Sequence, residues 1–357
     1  MDAFTGTRPL AQPLDTDALQ AWLAAHIDGF AGPLGIEQFK GGQSNPTYLL
    51  TTPGARYVMR SKPAPLAKLL PSAHAIEREF QVMQALAGTA VPVPAMLALC
   101  KDESVIGRAF YVMAFVPGRV LWDQTLPGLS QAERAAHYDE MNRVIAALHQ
   151  VNVRAAGLEA FGKPGNYFER QIGRWSKQYL ASVTEPNPAM DALLAWLPDH
   201  IPASARDARE VAVVHGDYRM DNLVFHPTEA RVIAVLDWEL STLGHPLADF
   251  SYHCMSWHIQ TSGAARGLGG QDLAALGIPS ERAYVQRYCE RTGRSDVDAV
   301  MADWNFYLAY NLFRIAAIVQ GIAKRVVDGT ASSAQARDTA ATARPLAELA
   351  WRFAQQA

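Results

Sequence analysis

The chain has 357 residues, 49% of them hydrophobic, with 32 basic and 35 acidic side chains for a formal charge of -3. That length and apolar content suffice for two lobes, and the near balance of charge argues against nucleic acid or an anionic membrane as the main partner. Three widely spaced cysteines, Cys100, Cys254 and Cys289, with no C-x-x-C pair, indicate neither a zinc site nor a disulfide framework and fit a reducing compartment. The opening stretch MDAFTGTRPLAQPLD lacks a basic region followed by an apolar one, and no uninterrupted apolar run matches a bilayer, so the expectation is a cytoplasmic protein with no membrane partner.

Asp17 to Phe30 carries Leu19, Trp22, Leu23 and Ile27 at helical spacing, with Asp15 or Thr16 as cap. Strands follow at Ile36 to Lys40, Thr47 to Thr52 and Arg56 to Lys62, the first two joined by the polar Gly41-Gly42-Gln43-Ser44-Asn45 and the last two by Pro53-Gly54. Ser72 is read as the cap of a helix ending at Gly88, with Ile76, Phe80, Met83 and Leu86 on its apolar side. Two more strands are expected at Met96 to Cys100 and Ala109 to Phe115. Beyond Pro117-Gly118 the pattern turns helical: Ser130 and Glu133 form a capping box for a helix to about Gln150. Segments 167–182, 280–293, 297–327 and 331–355 read as further helices. The fold class is therefore α+β, with an antiparallel sheet and one helix in 1–116 and a mainly helical 117–357.

Within the second half, Leu223-Val224-Phe225 and Val232 to Leu236 flank turn material and read as a β-hairpin. Pairing of the two strands makes neighbours of Asn222, before the first, and Asp237, after the second. An Asn carbonyl and an Asp carboxylate are the hard oxygen donors that Mg²⁺ takes together with phosphate and water. Just upstream, His215-Gly216-Asp217 completes H-G-D-x-x-x-x-N, the order in which one carboxylate orients a hydroxyl before an amide and a second carboxylate hold metal. Asp217 is thus assigned to the acceptor hydroxyl, with Asn222 and Asp237 as catalytic metal-binding residues. His215 is read as a buried brace for this loop in preference to a proton carrier, and Asp249 as structural in preference to a metal ligand.

If these residues handle metal and hydroxyl, the first half must cover a nucleotide. The Gly41-Gly42-Gln43-Ser44 turn lets backbone N–H groups approach phosphates, giving Gly41, Gly42 and Ser44 as phosphate contacts. Val58, Arg60 and Lys62 alternate onto one strand face, so Arg60 or Lys62 supplies a cation and Glu77 or Glu79 pairs with it; Arg60 with Glu79 is favoured. Met113 and Phe115 lie on the strand that leads into the second half and are assigned to the adenine edge. Gly157 to Lys163 matches G-x-x-x-x-G-K only as letters, because Pro164 replaces the metal-binding hydroxyl and a helix precedes it.

Taken together, the H-G-D-x-x-x-x-N loop and Asp237-Trp238-Glu239 resemble the aminoglycoside phosphotransferase family, small-molecule kinases with a two-lobed protein-kinase-like fold. The resemblance implies ATP and Mg²⁺ as cofactors and assigns the catalytic Asp to Asp217 and the metal ligands to Asn222 and Asp237. Arg60 departs from the lysine usual at that strand position. The phrases YVMRSKP (57–63), LLPSAHAIEREF (69–80), CKDESVIGRAFYVMAFVPGRV (100–120) and FGKPGNYFERQIGRW (161–175) are similar to the kinase domain that some eukaryotic proteins fuse to an acyl-CoA dehydrogenase. This implies a hydroxyacyl-CoA acceptor; because the sequence shows no flavin or dinucleotide-binding fingerprint, no dehydrogenase chemistry is expected. Lys163, Arg170, Arg174 and Lys177, against the single acid Glu169, suit such an anionic acceptor, and Trp175, Tyr179, Trp257 and Trp304 are candidates for an acyl pocket. The alternatives are an aminoglycoside or other small-molecule phosphotransferase, a metal-dependent phosphoesterase using His215 and Asp217, and a nucleotide-binding module without catalysis.

Overall fold

The computed structural model describes residues 6–40, 45–63, 75–261, 266–330 and 336–357. They divide into two compact units, one formed by the first 120 residues with 222–241 and the other by 121–221 with 242–357. The expectation of a boundary after residue 116 placed the hairpin in the second half, whereas its contacts join it to the first unit. Val235 N–H donates to Pro92 O at 2.9 Å, one of the bonds that tie it there.

The first unit opens with β1 (Thr7–Arg8), α1 (Thr16–His26), β2 (Gly35–Phe39), β3 (Thr47–Thr51), β4 (Arg56–Ser61), α2 (Ile76–Leu86), β5 (Met96–Cys100), β6 (Phe110–Ala114) and β7 (Arg119–Val120). Six strands form one antiparallel sheet in the order β1-β2-β3-β4-β6-β5. Period-two alternation decides its faces. Tyr48, Leu50, Tyr57, Met59, Ala98, Cys100, Phe110 and Val112 pack with Leu19 and Leu23 of α1 and with Ile27 just after it in one core. Asp15 caps α1 by accepting from Ala18 N–H at 2.9 Å. Val58 and Arg60 alternate with Tyr57 and Met59 and so belong to the other face. In α2 the residues Ile76, Glu79, Val82, Met83 and Leu86 are buried. The expected cap Ser72 lies outside the described residues.

The second unit begins with α3 (Gln131–His149), α4 (Tyr167–Leu180), α5 (Pro188–Asp199) and β8 (Ala212–Val214). Ser130 and Glu133 close the expected capping box on α3. Strands β9 (Leu223–Phe225) and β10 (Val232–Val235) then make the hairpin of the first unit, with β7 on its outer side. The chain returns to the second unit as β11 (Thr242–Gly244), paired antiparallel with β8, and continues through α6 (Pro246–Cys254), α7 (Leu273–Leu276), α8 (Glu281–Thr292), α9 (Val297–Ala302), α10 (Trp304–Val327), α11 (Ala336–Ala340) and α12 (Ala343–Ala354). Helix α10 is long and apolar enough to cross a membrane, yet 72% of its most apolar window is buried inside the protein, as in a core helix. Two segments expected as single helices are broken. The first breaks at Asp303, whose carboxylate accepts from the Ser204 hydroxyl, and the second at residues 341 and 342.

Candidate active site

In the first unit the site is built around Arg60. Its position on β4 sends the guanidinium among three carboxylates: Nη2 lies 2.8 Å from Asp237 Oδ1 and 3.2 Å from Glu239 Oε2, and Nε lies 3.3 Å from Glu79 Oε2. The Nε contact is an ion pair without the direction of a hydrogen bond. Burial works against the charge on Arg60, but Asp237, Glu79, Tyr111 and Glu239 outweigh it and raise its pKa above the ordinary value. Glu79 is only 1% exposed; it accepts from Asn45 Nδ2 at 3.0 Å and from the Tyr111 hydroxyl at 3.1 Å. Burial pushes its pKa up, and Arg60 offsets that only in part. Lys62 pairs instead with Glu77 at 2.5 Å.

Asp237, two residues past the end of β10, lies in the left-handed region, at φ 64° and ψ 60°, a conformation that costs a non-glycine residue about 1–3 kcal/mol and that clusters at functional sites. It turns the chain out of the strand and toward Arg60. Leu236 N–H donates to Asn222 O at 2.8 Å, so the two ends of the hairpin meet as the strand pattern requires. Asn222 and Asp237 offer a side-chain carbonyl and a carboxylate as oxygen donors, and no group of three or more His, Cys, Asp or Glu placed to hold a metal ion occurs among the described residues. Such a set suits Mg²⁺, which takes one or two protein oxygens and completes its shell with phosphate and water. Met113 is buried inside β6 between Val58 and Met96, while Phe115 follows the strand, donates its N–H to Arg56 O at 3.4 Å and lies under the Arg56 guanidinium at 4.1 Å. Gly41, Gly42 and Ser44 lie outside the described residues.

In the second unit the loop after β8 is held from α6. Asp249 accepts from His215 N–H and Gly216 N–H, both at 2.7 Å, and from His149 Nε2 at 3.2 Å. Burial would raise the pKa of this carboxyl, but the His149 hydrogen bond, the charges of His149 and His215 and the loop amide hold it below the ordinary value. His149 is itself fixed by the Tyr288 hydroxyl at 2.7 Å. Gly216 adopts φ 83°, which an L side chain reaches only with strain, and its carbonyl accepts from Arg314 Nη2 at 2.6 Å. His215 is fully buried, with Nδ1 accepting from Asp217 N–H at 3.2 Å. The Asp217 carboxylate receives the Tyr252 hydroxyl at 2.5 Å and Arg219 Nε at 3.0 Å, both on Oδ1. Arg219 also reaches Asp221 at 3.2 Å.

Arg219, Tyr252, Arg314 and His149 were missed by sequence reasoning. Arg219 lay within sight, two positions after Asp217; the other three come from distant helices, and no local spacing marks them. The basic stretch is only partly solvated: Arg170 donates to Lys163 O at 2.6 Å, Arg174 lies 5.1 Å from the Trp175 ring, and Glu169 pairs with Arg206. Trp175, Tyr179, Trp257 and Trp304 are buried core residues, with Trp257 and Trp304 donating to Pro279 O and Glu281 Oε1. An open acyl pocket lined by these four rings is therefore not what the fold builds.

Residues 35–284 match the profile of a phosphotransferase enzyme family. A crystal structure from Ralstonia eutropha JMP134, described as a candidate aminoglycoside phosphotransferase, is 63% identical and superposes with a TM-score of 0.86 over 96% of this chain and 99% of that one. Choline kinase from Cryptosporidium parvum, at 12% identity, shares the kinase-like fold with a TM-score of 0.67 over 96% of each chain. Acyl-CoA dehydrogenase family member 10 of Mus musculus is 46% identical over 352 residues, which are 98% of this chain and 32% of that protein. The chain thus spans about a third of that relative's length.

Proposed function

The chain belongs to the phosphotransferase enzyme family, and from that premise we propose that it transfers the γ-phosphate of ATP, with Mg²⁺, to the hydroxyl of a small anionic metabolite, a hydroxyacyl-CoA above all. The observation that carries the reading is Asp217, a carboxylate in a loop fixed by Asp249, His215 and Arg314 and itself gripped on Oδ1. Asp217 orients the acceptor hydroxyl and takes its proton as the oxygen attacks phosphorus. Asn222 and Asp237 would hold Mg²⁺, which when bound offsets the charge of the phosphates. Arg60, kept cationic by three carboxylates and aligned by Glu79, faces the α- and β-phosphates. Met113 and Phe115 border the adenine, and Gly41, Gly42 and Ser44 cover the phosphates.

One fact supports the anionic acceptor: the homologous segment occurs in a protein named for acyl-CoA dehydrogenation. The test is a γ-phosphate transfer screen over hydroxyacyl-CoAs, free hydroxy acids, sugars, choline and aminoglycosides. Transfer to the CoA esters or hydroxy acids is expected. Transfer to kanamycin with none to the anionic acceptors would overturn the substrate choice.

A further inference from the structure

We propose that Tyr252 is a positioning residue for phosphoryl transfer, its buried hydroxyl fixing the Asp217 carboxylate in the rotamer from which it orients the acceptor. The inference rests on the reading of Asp217 given above and adds a residue of α6 to it. Tyr252 is 4% exposed and donates to Asp217 Oδ1 at 2.5 Å. A phenol donating to a carboxylate makes a charge-assisted bond, about twice as strong as a neutral one. Asp249 and Tyr252 stand three residues apart, on one face of α6. The first holds the loop backbone at 215 and 216, and the second holds the side chain at 217.

The same helix therefore sets both where the loop lies and how its carboxylate is turned. Its own place is fixed from α10, where Asn311 Nδ2 donates to Ala248 O at 2.9 Å and Arg314 lies 5.0 Å over the Tyr252 ring while bonding Gly216 O. Burial and the charge of Asp217 push the Tyr252 pKa well above the ordinary phenol range, so the hydroxyl stays a donor at working pH and does not compete for the substrate proton. Arg219 also reaches Oδ1, but its side chain is 46% exposed, and an exposed ion pair restrains geometry weakly. Loss of the phenol removes the buried restraint on Oδ1, and misplacement by about 1 Å is enough to lower a rate by about 10²-fold.

The test is Tyr252→Phe, which keeps the ring and the Arg314 stack, assayed for ATP-dependent transfer to the acceptor panel of hydroxyacyl-CoAs and hydroxy acids. We expect kcat to fall by about tenfold or more, with KM for ATP and for acceptor held within about twofold and a melting transition that is lowered but still cooperative. In an Asp217→Asn background the same change should have no further effect, because its action runs through that carboxylate. A 3-fluorotyrosine at 252, which retains the donor and the shape, should keep wild-type kcat even if the phenylalanine variant folds poorly. Unchanged kcat in Tyr252→Phe, or an equal loss in the Asp217→Asn background, overturns the role of Tyr252 alone. A wild-type protein inert toward the whole panel would count against the phosphotransfer reading itself.

Discussion

Arg60 shows how one side chain couples stability to function. Its guanidinium is the shared cation of Glu79, Asp237 and Glu239, and among the described residues it is the cation paired with the buried Glu79. Replacement by methionine fills similar space but leaves that carboxylate uncompensated, at a cost of about 3 kcal/mol near neutral pH. The sign of the pH dependence follows from Glu79, whose pKa is already raised in the fold by burial. Loss of Arg60 raises it further, so the protonated form is favoured and the deficit of Arg60→Met shrinks as pH falls from 7 to 5. Urea unfolding of both proteins at the two values reads this directly; an equal deficit at both would refute it. Arg60 was legible in the sequence because strand alternation places Val58, Arg60 and Lys62 together. The choice between Arg60 and Lys62 was not, since it depends on which glutamate each meets in three dimensions.

At the scale of elements, signals carried by local chemistry translated well. The Ser130 and Glu133 box starts α3, and the hairpin of β9 and β10 joins Asn222 to Leu236 through a backbone bond. Elements with no local signal were lost. Helix α6 is buried along its whole length, so it has no polar face from which a period could be read, although it carries both Asp249 and Tyr252. Helix α5 was overlooked despite an Asn187 cap and Pro188 at its first position, a start signal visible in the residues. Strands β8 and β11 have three residues each and exist because they pair with one another, 28 positions apart at Val214 and Thr242. The single helix expected over 297–327 yields at Asp303 to a contact with Ser204, a tertiary partner that outranks helical propensity.

For the whole molecule, acid is the informative stress. His245 and His253 are buried, and burial lowers each pKa from 6.5 to about 4. Below pH 6.5 the unfolded chain takes up protons that the folded one refuses. The stability these groups confer is therefore complete above that value and is lost as pH falls toward 4. Two such groups contribute a slope of about 2 kcal/mol per pH unit between 6 and 4.5. Unfolding free energies from urea titrations across that range should follow it, and His253→Gln, which removes one of the two, should roughly halve the slope. A flat profile in the wild type would contradict the burial of both rings.

The central claim is that Asp217 orients the acceptor in phosphoryl transfer, and Asp217→Asn tests it most directly. The substitution keeps the size of the side chain and an oxygen acceptor for Tyr252 while removing the proton acceptor. Single-turnover transfer from γ-labelled ATP, measured beside a nucleotide titration, should show the rate falling by at least about 10²-fold with the Kd for ATP changed by less than about threefold. Turnover within about twofold of wild type would contradict the account.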